Sequence, residues 1–218
     1  MNHSIYQPFK TFDFKYKKCF LSGDTFSTPL IEIPLLPDWL LKVANYSGEE
    51  QIKLLDESIR SYNSLTVPCN VEVYEHFITP LEDKVSKAFS EGYAGVFKLE
   101  EVELFRWIGK FMYSLLYVEM NAAVKQQQIS EDGINMSQGL MHKFGNLHTM
   151  IQGIYTDVVF EDFKPWSILV LPLADQDTPF SFRDEINTLT FSLKLKDFAI
   201  IAVLQDNGTN LRYHDQIV

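Results

Sequence analysis

Thr188-Leu189-Thr190-Phe191-Ser192-Leu193-Lys194-Leu195 alternates polar and apolar side chains without a break. Successive side chains of a strand point to opposite faces, so a period of two marks a half-buried β-strand. Phe198 to Leu204, "FAIIAVL", follows as a continuous apolar strand, and Asp206-Asn207-Gly208 is a hairpin turn signal. Going back along the chain, Trp166 to Leu173 reads as another strand, and Tyr155 to Phe160 as one more.

Ahead of these strands the apolar period is helical. Ser47-Gly48-Glu49-Glu50 has the form of a capping box, followed by Ile52, Leu55 and Ile59 on one face. Thr79-Pro80-Leu81-Glu82 repeats that logic, with a stripe of Leu81, Val85, Ala88 and Phe89 that stops at Gly92. A longer helix is predicted from Glu100 to Lys125, apolar on most of its surface, and a fourth from Ser137 to Gln152. Helices followed by consecutive strands predict an α+β fold with a C-terminal antiparallel sheet. Three regions result, 1–75, a helical 76–152 and a β region 153–218, expected to pack as one compact unit.

The chain has 218 residues, 46% hydrophobic and 14% aromatic, enough for a substantial core. Its 19 basic and 29 acidic residues leave a net charge of −10. Phosphate neutralisation supplies most nucleic-acid affinity, so this balance disfavours nucleic acid as a partner. Basic residues gather only at Lys10, Lys15, Lys17 and Lys18. The opening "MNHSIYQPFK" lacks a signal-peptide core, and the apolar run Leu104–Val118 is cut by Arg106, Gly109 and Lys110. A bilayer span needs roughly 20 mostly apolar residues, so no membrane partner is expected. Two cysteines do not make a disulfide scaffold. The plain expectation is a cytoplasmic protein.

The two cysteines sit in suggestive frames. Cys19-Phe20-Leu21-Ser22-Gly23 is C-x-x-C-G with serine for the second cysteine, and Thr66-Val67-Pro68-Cys69-Asn70 is C-x-x-C-N with threonine for the first. Between them lies Leu35-Leu36-Pro37-Asp38-Trp39-Leu40. Downstream come "VEVYEHFITPLEDKVSKAF", residues 71–89, and "FRWIGKFMYSLLYVE", residues 105–119. This layout resembles the HNH nuclease family, whose treble-clef domains read C-x-x-C-G, E-H-x-x-P-x-W-L and C-x-x-C-N, often followed by a Trp-x-x-Lys helix. The resemblance implies an N-terminal treble-clef-like lobe with knuckle positions Cys19, Ser22, Thr66 and Cys69.

It also implies a loss of chemistry. In register with Trp39-Leu40, Ile33 falls at the family's acid and Pro34 at its histidine; a shift by one makes Glu32 the acid and still supplies no imidazole. Hydroxyls are poor zinc ligands and proline cannot take a proton, so no metal or other cofactor is expected. Small buried cysteines with no ancestral role remain an alternative reading of the same residues.

Other candidates are fewer. His76, with Glu72 and Asn70 close by in sequence, could form a relocated metal site of a phosphodiesterase. His142 and His148 are six apart and fall on different helix faces, unlike the two histidines of H-E-x-x-H, and His214 falls in a terminal tail. The acid pairs Glu82-Asp83, Glu100-Glu101 with Glu103, Glu131-Asp132, Glu161-Asp162 and Asp175 with Asp177 read as solvated charge. The sequence thus predicts an HNH-like protein without activity that binds a protein partner or itself, against the alternative of a metal-dependent nuclease.

Overall fold

The computed structural model describes residues 5–11, 14, 17–24, 29–54, 56–127, 137–160, 164–174 and 178–217. The predicted acids Glu131, Asp132, Glu161, Asp162, Asp175 and Asp177 lie outside them. Helix α1 (Pro8–Thr11), strand β1 (Leu30–Pro34) and helix α2 (Asp38–Ala44) are followed by β2 (Gln51–Lys53), β3 (Ile59–Ser61) and β4 (Thr66–Asn70). A continuous helical run then passes through α3 (Val71–Val73), a π turn (Tyr74–Ile78) and α4 (Thr79–Ser90). After α5 (Tyr93–Lys98) come the long α6 (Glu101–Gln127) and α7 (Gln138–Ile151). Strands β5 (Ser167–Pro172), β6 (Thr178–Glu185), β7 (Thr190–Lys196) and β8 (Phe198–Val203) precede α8 (Thr209–Ile217).

The fold is α+β. The last four strands form an antiparallel sheet in the order β5-β8-β7-β6, while β1 pairs antiparallel with β4 and β2 with β3. The alternation in β7 buries Phe191, Leu193 and Leu195 and turns Ser192 and Lys194 outward. The long helix α6 is buried from Leu104 to Ala123 except at the half-buried Arg106, as expected of a chain segment apolar nearly all round. One cluster of buried side chains draws on all three regions of the chain, from Phe14 through Trp107 to Leu204.

Several predicted elements are different. Residues 47–54 and 56–61 form a loop and the β2–β3 hairpin instead of a helix. Ser47 Oγ accepts the Glu49 N–H locally, and Asp56 Oδ1 accepts the Ser58 N–H at 3.0 Å, turning the chain where Glu57 takes φ 65°. Ile59, placed on the predicted buried face, is 61% exposed. Residues 155–160 form no strand. Asp206-Asn207-Gly208 does not return the chain as a hairpin; Asp206 Oδ2 accepts the Asn210 N–H at 2.8 Å and the turn opens helix α8, which contains His214. Strand β6 carries no clean alternation signal and has a register shift between Thr178 and Ser181.

Gly92 ends α4 as predicted, with φ 71° and ψ −153°. A Cβ there would lie 2.5 Å from Asp197 Oδ1, the carboxylate that accepts the Tyr93 N–H at 2.9 Å. Gly92→Ala is therefore expected to lower the unfolding free energy by about 2 kcal/mol in urea titration, from backbone strain together with the displaced hydrogen bond.

Candidate functional site

The N-terminal knuckle frame folds into a tight loop. The Gly23 N–H donates to the Cys19 carbonyl at 2.9 Å and the Cys19 N–H to the Asp24 carbonyl at 3.0 Å. Gly23 has φ 70°, and a Cβ there would lie 2.4 Å from the Tyr6 ring, so glycine is required twice over. The loop is fastened to β4 by the Phe20 N–H, which donates to the Pro68 carbonyl at 2.8 Å. This brings Cys19 and Cys69, fifty positions apart, to an Sγ–Sγ distance of 4.0 Å with both fully buried.

The two sulfurs are not equivalent. Hydrogen bonding between the two thiols outweighs burial and lowers the Cys19 thiol, helped by the Ser22 hydroxyl and the backbone of Asn70 and Ser22. The same contact and burial push the Cys69 thiol up. The fourth knuckle position is elsewhere. The frame around Cys69 is drawn out as strand β4, where residues three apart point to opposite sides, and Thr66 Oγ1 instead donates to Glu32 Oε2 at 2.7 Å. Cys19, Ser22 and Cys69 thus meet, and Thr66 does not join them.

Asn70 caps the helical run that follows β4. Its Oδ1 accepts the N–H groups of Glu72 at 2.8 Å and Val73 at 3.3 Å, the role expected of an N-cap asparagine. The side chain is buried, whereas Glu72 and His76 lie exposed on the first turns of the run. The three residues of the relocated-site reading are therefore split between an interior cap and a solvent face. Among the described residues no group of three or more His, Cys, Asp or Glu side chains is placed to hold a metal.

The Pro37–Leu40 and Trp107–Lys110 motifs converge on Glu82. Trp39 Nε1 donates to Glu82 Oε2 at 2.6 Å and Trp107 Nε1 to the same oxygen at 3.1 Å. Lys110 pairs with Glu82 Oε1, the two side chains being 5% and 11% exposed. The expectation that Glu82 is solvated charge is thus corrected: three donors from α2 and α6 draw it into the interior. Glu101 is likewise engaged, accepting from Trp166 Nε1 at 2.8 Å and pairing with Lys164.

Beside this cluster opens a cleft of about 260 Å³, lined by Pro34, Asp38, Tyr74, Thr79, Asp83 and Lys110 among others. Pro34 forms part of its wall, and among the described residues no imidazole lines it. The π turn Tyr74–Ile78 borders it, a distortion frequent at functional sites.

His148 is the histidine the sequence undervalued. It is fully buried on α7, stacked on Tyr113 with ring centroids 4.3 Å apart. Its Nε2 lies 3.1 Å from the Leu21 carbonyl in the knuckle loop, and its Nδ1 3.2 Å from Gln152 Nε2. Both contacts are satisfied by the neutral tautomer with hydrogen on Nε2. Burial pulls its pKa down to about 3. The six-residue spacing from exposed His142 gave the correct faces but no hint that one face is interior.

No protein-family model, no curated protein and no solved structure matches this chain.

Proposed function

We propose that this chain is an HNH-like scaffold that has lost its chemistry and works as a binding module. The observation that carries the reading is the combined state of the motif positions. Cys19, Ser22 and Cys69 meet where a knuckle would close, yet only two of them are thiols and Thr66 is turned to Glu32. A proline stands at the wall of the neighbouring cleft, so proton abstraction from water has no imidazole there. The buried Glu82–Lys110 pair and its two indole donors bind α2, α4 and α6 together, which is a structural use of charge.

The solvent side of the four-stranded sheet is the surface that best fits a protein partner or a second copy. Strand β8 is apolar on both faces: Phe198, Ile200 and Ala202 are buried, while Ala199, Ile201 and Val203 face outward. Cross-strand pairing sets Leu169 beside Ile201 and Leu171 beside Ala199 on that outer face. Ile201 is 40% exposed. On β7 and β6 the same face becomes polar, with Ser192 opposite Ile201 and Arg183 opposite Ser192. An apolar patch rimmed by charge is the usual composition of a protein interface.

Sedimentation velocity tests the surface. The chain is expected to self-associate at micromolar concentration, and Ile201→Asp to shift it to monomer with an unchanged Tm. Association unaffected by Ile201→Asp would remove this face from the proposal. The alternative, a metal-dependent phosphodiesterase using His76, Glu72 and Asn70, has in its favour the exposure of Glu72 and His76, the latter within the π turn.

A further inference from the structure

Two parts of the chain fifty positions apart hold Cys19 and Cys69 face to face with 4.0 Å between sulfurs. A disulfide needs about 2.05 Å, so the sulfurs must close by about 2 Å, a movement within reach of side-chain rotation and a small shift of the Cys19–Asp24 loop.

We infer that Cys19 and Cys69 are a reversible oxidation site, joined as an intramolecular disulfide by a small hydroperoxide. The inference rests on the reading above that the knuckle holds no metal. The positions of the pair assign the roles: one thiol sits in the Cys19–Asp24 loop, the other in strand β4. Cys19 is the nucleophile, because it lies on the Cys19–Asp24 loop that opens to the oxidant, and hydrogen bonding with Cys69 and Ser22 lowers its thiol. Cys69, held in strand β4 and with its thiol pushed up by burial and the same contact, is the resolving thiol.

The steps balance. The Cys19 thiolate attacks a peroxide oxygen; the S–O bond forms, the O–O bond breaks, and the departing hydroxide or alkoxide takes up a proton. The Cys69 sulfur then displaces the hydroxyl of the Cys19 sulfenic acid, losing its own proton, and water leaves. Two thiols are oxidised to one disulfide, and the peroxide is reduced by two electrons. A dithiol reverses the change by thiol–disulfide exchange.

Both sulfurs are buried, so the oxidant reaches them when the Cys19–Asp24 loop opens, and mild denaturant is expected to speed the reaction. The new bond closes a loop of fifty residues and ties the knuckle loop to β4 covalently. It is expected to raise Tm by roughly 5–10 °C.

The test is intact mass of the full chain. Metal content is measured first; the protein is then treated with hydrogen peroxide, quenched, denatured and alkylated with iodoacetamide. The expected product has lost two hydrogens, takes up no alkyl group, and regains two alkylation sites after dithiothreitol. In Cys69→Ser, and equally in Cys69→Ala, Cys19 is expected to be captured by dimedone as the sulfenic acid. Metal-free protein that still shows two alkylated thiols after peroxide, or that links only between chains, overturns the inference and leaves the binding-module reading standing. Stoichiometric zinc on the thiols overturns both.

Discussion

Lys110→Met is expected to lower the unfolding free energy by about 3–5 kcal/mol, the usual consequence of leaving one half of a buried ion pair behind. The loss comes from Glu82, not from the lysine. With the ammonium gone, a carboxylate only 11% exposed keeps the indole N–H groups of Trp39 and Trp107 but no positive charge. Urea titration followed by tryptophan fluorescence reads the change directly, since both indoles touch the altered group. The double variant Lys110→Met, Glu82→Gln is expected to recover most of the stability, because an amide oxygen still accepts an indole and no charge is stranded. A double variant as unstable as the single one would show that Lys110 contributes by packing instead.

The second large effect is acid sensitivity through His148. Its folded pKa is about 3, below the ordinary value of 6.5. Above 6.5 the ring is neutral in both states and contributes nothing to the pH dependence. Below 6.5 the unfolded chain takes up a proton that the native state refuses, so stability falls by about 1.4 kcal/mol per pH unit, reaching roughly 3 kcal/mol by pH 4. The refusal has a geometric cause. Protonation would put a hydrogen on Nδ1 facing Gln152 Nε2, itself a donor that also reaches the Tyr6 carbonyl at 2.9 Å. His148→Gln carries no titrating ring, so the difference between its stability–pH curve and that of the parent isolates this one group. The variant curve is expected to be flatter between pH 6.5 and 4, and two parallel curves would remove His148 from the acid limb.

Elements with a long, unambiguous period were legible in the sequence. The predicted helix from Ser137 to Gln152 is α7, with Ser137 Oγ accepting the Leu140 N–H at 3.3 Å as its cap. The alternation of β7 and the apolar runs of β5 and β8 also fall within a residue or two of the observed strands. Residues 47–61 misled because Ile52, Leu55 and Ile59 have helical spacing by chance, while the turn chemistry of Asp56 and Ser58 controls the backbone. The short pair β1–β4 depends on a partner far along the chain, which no local pattern discloses.

Site residues were legible where a motif named them and hidden where burial decided. Cys19 and Cys69 were paired from their frames, and the structure sets their sulfurs in contact. Trp39 falls in one motif and Trp107 and Lys110 in another, yet nothing in the sequence says that both close on Glu82. An acid next to Asp83 on a helix reads as solvated until its three donors are placed around it. The outer face of β8 posed the opposite difficulty: its continuous apolar run suggests a strand covered on both sides, and one side is open.

The reading of a scaffold without chemistry is tested most directly by plasmid nicking in magnesium or manganese, with elemental analysis of the same preparation. The expected result is intact supercoiled plasmid at every protein concentration, and substoichiometric zinc, magnesium and manganese in the purified chain. Nicking that disappears in His76→Ala would contradict it and place a working phosphodiesterase on the exposed face of the helical run after Asn70.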